Sequence, residues 1–232
     1  MSRLAITWYG HSTFLLRTPG GRRVLIDPWF AGNPACPAAM KVPPAADAIL
    51  VSHGHADHIG DLLPAARESQ APVVAAFEVC DWLEGKGIRH VRPMNKGGTQ
   101  DVVGVGITMT DARHSSGFVD EGRMIYMGEA AGYVLRLEDG LTVYYAGDTS
   151  LFGDMRLIGE LHAPDIAFLP IGDRFTMDPS AAARAAAWLG VKMVVPMHWG
   201  TFPLLTGTPA ALRALLPPGV EMLDLQPGET AG

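Results

Sequence analysis

The chain has 232 residues, of which 48% are hydrophobic and 18% charged, and its formal net charge is −6 at pH 7. No apolar stretch reaches the roughly 18 residues of a membrane-spanning helix, and the amino terminus lacks the pattern of a signal peptide. The acidic balance and the lack of a Lys/Arg run argue against a general nucleic-acid binder. Two cysteines predict no disulfide framework, so we expect a cytoplasmic chain.

The first half of the chain alternates short apolar segments with helical patterns. Strands are predicted over 4–8, 14–17 and 24–26, each closed by turn residues. The segment 28–46 is rich in proline and alanine and is long enough to act as a lid. The predicted elements that follow are a strand over 48–52, a helix over 58–68, a strand over 72–77, a helix over 78–86 and short strands over 90–92, 102–103 and 107–111.

The second half has a similar layout. The predicted elements are strands over 133–137 and 141–145, a helix over 154–161, a strand over 166–170, a helix over 178–189, a strand over 193–196, a helix over 209–216 and a strand over 220–223. Meanders followed by alternating strands and helices indicate an α/β domain, α+β by some schemes, with helices covering layered sheets. No linker separates the halves, so we expect residues 1–232 to form a single domain.

Histidines and aspartates follow the ends of the predicted strands. The strand over 48–52 leads into HGHADH, which places three histidines and an aspartate within six residues. The seven side chains in such positions are His53, His55, Asp57, His58, His114, Asp148 and His198. Strand ends hold side chains rigidly and leave them open to a cleft, as a functional site requires.

Imidazole nitrogens and carboxylate oxygens are ligands of Zn²⁺, Fe and Mn²⁺. One histidine at a strand end is more often a core residue than a ligand, but several titratable groups beside an apolar strand are costly to bury without a partner. A carboxylate such as Asp148 has two oxygens and is able to bridge two ions. Two ions about 3.5–4 Å apart would hold a hydroxide between them and polarise a substrate oxygen.

With these seven residues, in their order and strand contexts, the chain resembles the metallo-β-lactamase superfamily over its whole length. Four more motifs are similar to a bacterial and archaeal branch of metal-dependent hydrolases that resembles ascorbate-6-phosphate lactonase and, more distantly, N-acyl phosphatidylethanolamine phospholipase D. They are LIDPWF (25–30), GDTSLFGDM (147–155), LPIGDRFTMDP (169–179) and PMHWGTFP (196–203). The resemblance implies a four-layer αβ/βα sandwich with its site at the edge between two sheets.

The resemblance also implies how the ligands divide between two divalent ions. One ion would be held by His53, His55 and His114, the other by Asp57, His58 and His198, with Asp148 bridging them. Zinc is the expected metal, with manganese or iron as alternatives. Asp27 matches an aspartate that supports the histidine loop in the family, although an ordinary turn aspartate explains it equally well. Asp178 departs from the small residue of the branch, which predicts a different pocket rim.

Further candidates surround the metal ligands. His11 is expected to bind substrate or to donate a proton to the leaving group, and the alternative is a turn histidine with a local hydrogen bond. The resembling proteins carry the same GHS motif, which favours the first role. The expected substrate-pocket residues are Ser115, Arg174, Phe175 and Thr201. Simple packing is the better explanation for Phe175.

The expected function is hydrolysis of a small ester, lactone or amide, with Asp57, Asp148 and His11 as catalytic residues. Two ions with two carboxylates and a hydroxide would carry about +1 and attract an anionic or carbonyl substrate. A phosphodiesterase of the nucleotide or phospholipid type is the alternative on the same site. A mononuclear iron oxygenase and a non-catalytic metal-binding module are alternatives of another class. The sequence is compatible with a homo-oligomer and does not identify the natural substrate.

Overall fold

The structure, a computed structural model, describes residues 3–232. Its described strands form two seven-stranded sheets and a separate hairpin. The first sheet contains β1 (Ala5–Trp8), β2 (Phe14–Arg17), β3 (Arg23–Ile26), β4 (Ala48–Leu50), β5 (Val73–Ala76), β6 (Val91–Met94) and the C-terminal β16 (Thr230–Ala231). The second contains β7 (Thr99–Val102), β8 (Val105–Asp111), β11 (Ala131–Arg136), β12 (Thr142–Tyr145), β13 (Ile166–Pro170), β14 (Met193–Met197) and β15 (Glu221–Met222). The hairpin consists of β9 (Gly117–Asp120) and β10 (Arg123–Tyr126).

Both sheets follow one plan. In the first, β16, β1, β2 and β3 pair antiparallel in that order, and β3, β4, β5 and β6 pair parallel. In the second, β7, β8, β11 and β12 pair antiparallel, and β12, β13, β14 and β15 pair parallel. Parallel neighbours need a crossover connection, which explains why helices appear in the later part of each half.

Alternating side chains of single strands face two different layers, because successive residues of a strand point to opposite faces. In β3, Val24 and Ile26 share a hydrophobic cluster with the second sheet, whereas Leu25 packs with the helices on the outer face. The helices are α1 (Ala56–Ile59), α2 (Leu62–Ser69) and α3 (Phe77–Gly85) on the first sheet, and α4 (Met155–His162), α5 (Pro179–Leu189) and α6 (Pro209–Arg213) with the second. The expected layered α/β sandwich is confirmed.

The helix predicted over 58–68 is helical at most of its residues but is divided into α1 and α2 at Gly60 and Asp61. The Asp61 carboxylate accepts hydrogen bonds from the backbone N–H groups of Phe30 (2.6 Å) and Ala31 (3.0 Å). A Cβ at Gly60 would lie 2.6 Å from Trp29 Cδ1. The bend at Gly60 and Asp61 therefore holds the Asp61 carboxylate against the segment that follows β3.

The segment 28–46, considered as a lid from the sequence, is anchored at several points. Asn33 is buried, and its side-chain amide donates to the carbonyl oxygen of Gly10 at 3.2 Å. Phe30 and Cys36 belong to the hydrophobic cluster beneath the helices of the first sheet. These anchors do not fit a lid that swings as a whole.

The hairpin β9–β10 is not among the elements predicted from the sequence. It turns at Glu121 and Gly122, whose φ angles are +50° and +79°, and two left-handed residues suit a tight hairpin turn. Each of its strands has only two or three adjacent apolar residues next to the charged residues of the turn, a run too short to predict a strand. The short β16 also lies outside the predicted elements, and the helix predicted over 209–216 ends at Arg213.

Residues 3–232 were also compared with the expectations for membrane-spanning helices and for disulfides. Among residues 3–232, no helix has the length and apolar character needed to cross a membrane. Cys36 and Cys80 are both buried and free, as expected for a chain without a disulfide framework.

Candidate metal centre

The seven predicted ligands converge beyond the ends of β4, β8, β12 and β14. They form overlapping groups, and within each group the ligand atoms lie within 4.8 Å of one another. The first group is His53, His55 and His114, the second is Asp57, His58 and His198 together with His11, and a third set, His53, His58 and Asp148, overlaps both. The structure thus brings all seven side chains together and adds His11 as an eighth.

The first group is a triangle of imidazole nitrogens. His55 Nδ1 lies 2.9 Å from His53 Nε2 and 3.2 Å from His114 Nε2. The outer nitrogens have hydroxyl partners, since Ser52 Oγ lies 3.0 Å from His53 Nδ1 and Ser115 Oγ lies 3.3 Å from His55 Nε2. Such outer partners orient ligand rings, so three inner nitrogens are presented to one point.

The second group joins the two halves of the molecule. The rings of His11 and His198 lie 4.0 Å apart between centroids, and the His198 backbone N–H donates to the His11 carbonyl at 3.0 Å. His11 Nε2 also lies 3.1 Å from Asp57 Oδ2. Both histidines have φ angles near +56°, a region that costs a residue with a side chain about 1 kcal/mol or more. The surrounding contacts hold this strained backbone in place.

Asp148 lies between the two groups and is almost fully buried. Its Oδ2 is 3.0 Å from His198 Nε2, 3.4 Å from His58 Nε2 and 3.6 Å from His114 Nε2. One carboxylate oxygen therefore approaches nitrogens of both groups.

Unpartnered buried atoms show that these residues fit a cation. His58 Nε2, Asp148 Oδ1 and His198 Nδ1 are buried and find no hydrogen-bond partner in the described part of the chain. Leaving such an atom unpaired costs about 1–3 kcal/mol or more. A divalent ion would accept lone pairs from the first two atoms, and the mixed nitrogen and oxygen donors suit zinc, manganese or iron.

Asp27 supports the histidine loop from beneath. Its Oδ1 accepts the Ser52 backbone N–H at 2.7 Å, and its Oδ2 accepts the Ser52 and Tyr145 hydroxyls at 2.6 and 2.7 Å. The same Oδ2 lies 2.8 Å from His58 Nδ1. Of the two explanations open from the sequence, the structure places Asp27 in the supporting role.

Burial and neighbouring charges shift the pKa values of the site. Burial lowers the pKa of His53 well below its usual value, and the charge of His58 lowers it further. Burial opposes ionisation of Asp148, but the charges of His198 and His58 outweigh it and hold the Asp148 pKa well below its usual value. Burial also lowers the pKa of His58, yet Asp148 and Asp27 together raise it well above the usual value. Without metal, the two carboxylates therefore favour a proton on His58, and a bound cation would compete with it.

His11 has a partner on each ring nitrogen. Burial, and then the charge of His198, lower the pKa of His11 to about 4. Burial raises the pKa of Asp57, but the hydrogen bond with His11 and the charge of His58 bring it well below the usual value. An ionised carboxylate only accepts, so His11 Nε2–H donates to Asp57, and Nδ1 is left to accept from the Thr201 hydroxyl at 2.9 Å.

Two of the predicted pocket residues, Ser115 and Thr201, thus lie against histidines of the cluster. Arg174 and Phe175 contact each other, with the guanidinium carbon 5.5 Å from the ring centroid. Within residues 3–232, no hydrogen bond, ion pair or ring contact joins either of them to a predicted metal ligand. Asp178 caps α5, since its carboxylate accepts the Ala181 backbone N–H at 2.7 Å.

Trp29 beside His11 and Tyr145 beneath Asp27 were not predicted from the sequence. The ring of Trp29 meets His11 edge-on at 5.2 Å, and Phe202 lies 5.8 Å from His11. Tyr145 stands only three residues before Asp148 at the end of β12, yet its hydroxyl reaches Asp27 in the other half. The signal for Trp29 was its place two residues after Asp27, whereas no local pattern points to Tyr145.

Comparison with known proteins gives consistent results. The family described as a β-lactamase superfamily domain matches residues 22–199. A metal-dependent hydrolase of the UPF0173 group from Solibacter usitatus (strain Ellin6076) is 52% identical over 227 residues, 97% of this chain and 98% of that protein. A second, from Koribacter versatilis (strain Ellin345), is 50% identical over 230 residues, 98% and 97% of the two chains. The structure of Igni18, a metallo hydrolase from the hyperthermophilic archaeon Ignicoccus hospitalis KIN4/I, has a TM-score of 0.84 at 34% identity and covers 98% of this chain and 97% of its own.

Proposed function

This chain belongs to the β-lactamase superfamily and is a metal-dependent hydrolase with the metallo-β-lactamase fold, and from that premise we propose that it uses two divalent ions, zinc first among them, to hydrolyse a small ester, lactone or amide. One observation supports the pair of ions above all. Asp148 Oδ2 lies within 3.6 Å of His114 Nε2 and closer still to nitrogens of His58 and His198. A carboxylate in that place is suited to serve two ions at once.

The proposed ligands are assigned to the two ions according to which ligand atoms lie close together. His53, His55 and His114 would hold one ion, Asp57, His58 and His198 the other, and Asp148 both. When bound, the ions supply a water that is nucleophilic at neutral pH and stabilise the negative charge that develops on the substrate oxygen. Burial lowers the pKa values of His53, His55 and His114, which favours the neutral imidazoles that bind a cation.

His11 and Asp57 are proposed to move the proton. Asp57 would accept the proton of the attacking water, and the hydrogen bond from His11 Nε2–H fixes the carboxylate in the position for that step. The proton would then pass from this pair to the leaving group. Thr201 and the edge-on ring of Trp29 keep the His11 ring from turning.

We also propose that residues 1–232 act as one cytoplasmic domain. The ligands come from both sheets, so neither half holds a complete centre. The two cysteines are free thiols, as is typical of a reducing compartment.

The experiment that tests this function counts the metal and measures turnover on one preparation. Protein purified without chelator is analysed for metal and assayed on lactones, aryl esters and bis(p-nitrophenyl) phosphate. We expect two ions per chain and turnover of lactones or esters that a chelator abolishes and zinc restores. One iron per chain with oxygen-dependent chemistry, turnover of the phosphodiester alone, or bound metal with no turnover would each overturn the proposal in favour of an alternative class.

A further inference from the structure

The hairpin β9–β10 stands apart from both large sheets and begins three residues after His114. Its cross-strand pairs give it two distinct faces, since Ile125 pairs with Phe118 and Met124 pairs with Val119. Phe118 and Ile125 pack against the hydrophobic cluster of the first sheet. The other face is therefore free to contact something else.

That second face carries large apolar side chains in the open. Val119 is 56% exposed, Met124 72% and Tyr126 64%. Exposed apolar side chains grouped in this way usually mark a binding surface. Gly117 lies opposite Tyr126, and a Cβ there would approach Met124 Sδ to 3.0 Å. Glycine at this position leaves room beside the methionine.

Hydrogen bonds fasten the hairpin to the metal-site loop. Ser116 Oγ accepts the backbone N–H of Gly54 at 3.0 Å and donates to the Met127 carbonyl at 3.2 Å. At the far end, Trp82 Nε1–H donates to Asp120 Oδ2 at 2.9 Å. The hairpin is thus fixed in position relative to His55 and its neighbours.

A cavity of about 460 Å³ lies between the hairpin and the metal centre, a size typical of small-molecule sites. His55 and Ser115 line it on the side of the metal centre, and Gly117, Met124 and Tyr126 line it from the exposed face of the hairpin, with core-facing Ile125 also at its border. None of its lining residues is Lys, Arg, Asp or Glu among those the structure describes. The polar end adjoins the metal ligands, whereas the far end offers only apolar and aromatic surface.

We propose that this cavity binds an uncharged apolar substituent of the substrate, an alkyl or aryl group carried next to the bond that is cleaved. The proposal rests on the proposed hydrolase function and adds a substrate class to it. The scissile group would lie at the His55 end beside the metal ligands, and the apolar group would extend along Met124 and Tyr126. The side chain of methionine adapts to groups of different shape, which suits a surface that accepts a range of chains.

The test measures how binding and turnover depend on chain length in the metal-loaded protein. Butanoate, hexanoate and octanoate, which resemble the acid product of an ester, are titrated by calorimetry. The p-nitrophenyl esters of the same acids are assayed for kcat/KM. Each methylene buried should tighten binding about threefold to fourfold, so octanoate should bind at least tenfold more tightly than butanoate even with partial burial.

Matched variants assign the effect to the cavity. Met124→Ser and Tyr126→Ser should flatten the dependence on chain length, and Met124→Leu should retain it. Leu161→Ser removes a leucine that is 74% exposed on α4 and should change nothing. The four variants change three exposed positions, so folding is not expected to suffer.

The outcomes separate this inference from the hydrolase function. Turnover of short esters with no dependence on chain length would overturn the apolar cavity and leave the hydrolase proposal standing. Length-dependent binding without turnover of any ester, lactone or amide would uphold the cavity and overturn the proposed function. A dimer that dissociates on Met124→Ser, with no chain-length dependence, would assign the face to a second copy of the chain and overturn the proposal.

Discussion

Corresponding strands in the two halves of the molecule present side chains at the same place and use them differently. β1 and β8 hold matching positions in their sheets, and the third residue after each is a histidine, His11 and His114. β3 and β12 also correspond, and each is followed by a buried aspartate, Asp27 or Asp148. In the first half these residues stand behind the ligands, whereas in the second half they are predicted ligands themselves.

The next pair of corresponding strands, β4 and β13, shows the opposite arrangement, because here the predicted ligand lies in the first half. The third residue after β4 is His53, which begins the cluster of ligands, whereas the third residue after β13 is Asp173, an exposed side chain bonded to Thr206. The first half therefore supplies four predicted ligands from one segment, and the second half supplies three from separate strand ends. The order and direction of the strands therefore determine where a residue lies, and the loop sequence determines which side chain lies there.

The order of the second sheet places Asp148 between predicted ligands. It follows β12, which lies two strands from β8, the source of His114, and two strands from β14, the source of His198. Neighbouring strands are about 4.8 Å apart, so this aspartate starts from a point midway between two ligands. Asp27 follows β3 in the other sheet and instead accepts hydrogen bonds from the hydroxyl groups of Tyr145 and Ser52.

The largest expected effect comes from Asp148→Asn. Removing the shared negative charge should lower kcat/KM on a hydrolysed ester or lactone about a thousandfold and reduce bound metal below two ions per chain. Asp173→Asn, at the exposed strand end of the same half, is the matched control and should keep both values. Two ions with undiminished turnover in Asp148→Asn would contradict the shared position.

His114→Gln and His11→Gln compare the matching histidines of the two halves. His114→Gln should lose one of two ions, whereas His11→Gln should retain both and lose turnover about a hundredfold or more, because it positions Asp57 for proton transfer. Metal analysis and kcat/KM on the same preparations provide the measurement. Loss of an ion from His11→Gln would show that His11 is a ligand. The matching histidines of the two halves would then have the same role, contrary to our inference.

A smaller effect is expected from Asp27→Asn. An amide is unable to accept from His58, Ser52 and Tyr145 as the carboxylate does, so metal affinity should fall about 10–100-fold in competition with a chelating dye. Asp61→Asn is the control, since that carboxylate fastens only backbone N–H groups of the neighbouring segment. Equal losses of metal affinity in both variants would show that the fold is loosened in general and would contradict a specific role of Asp27 in supporting the ligands.

The smallest expected effect is a weaker dependence of the unfolding free energy on pH in the metal-free protein. His11 has a pKa of about 4 in the fold, against about 6.5 in an unfolded chain. The unfolded chain therefore takes up this proton first, and stability is lost as the pH falls from about 6.5 to about 4. His11→Gln should reduce the slope of the unfolding free energy in that window by at most about 1.4 kcal/mol per pH unit. Identical slopes from urea titrations of the two proteins would contradict the buried neutral histidine.

The sequence by itself predicted the layered α/β class and the clustering of histidines and aspartates at strand ends. Both depend on neighbours a few residues apart: the apolar run before HGHADH predicts β4 and its loop, and Asp178-Pro179 predicts the start of α5. Hydrophobic periodicity and helix caps are local, so they are visible without knowledge of the fold.

Only the tertiary structure decided which of these residues meet. The contact of Tyr145 with Asp27, the break before α2 made by Asp61, and the cavity between His55 and the hairpin all join segments distant in the chain. No short pattern encodes them, because they arise when two sheets pack face to face and bring their strand ends to one edge. The same packing places Asp148 between two groups of histidines, from which we infer the pair of ions.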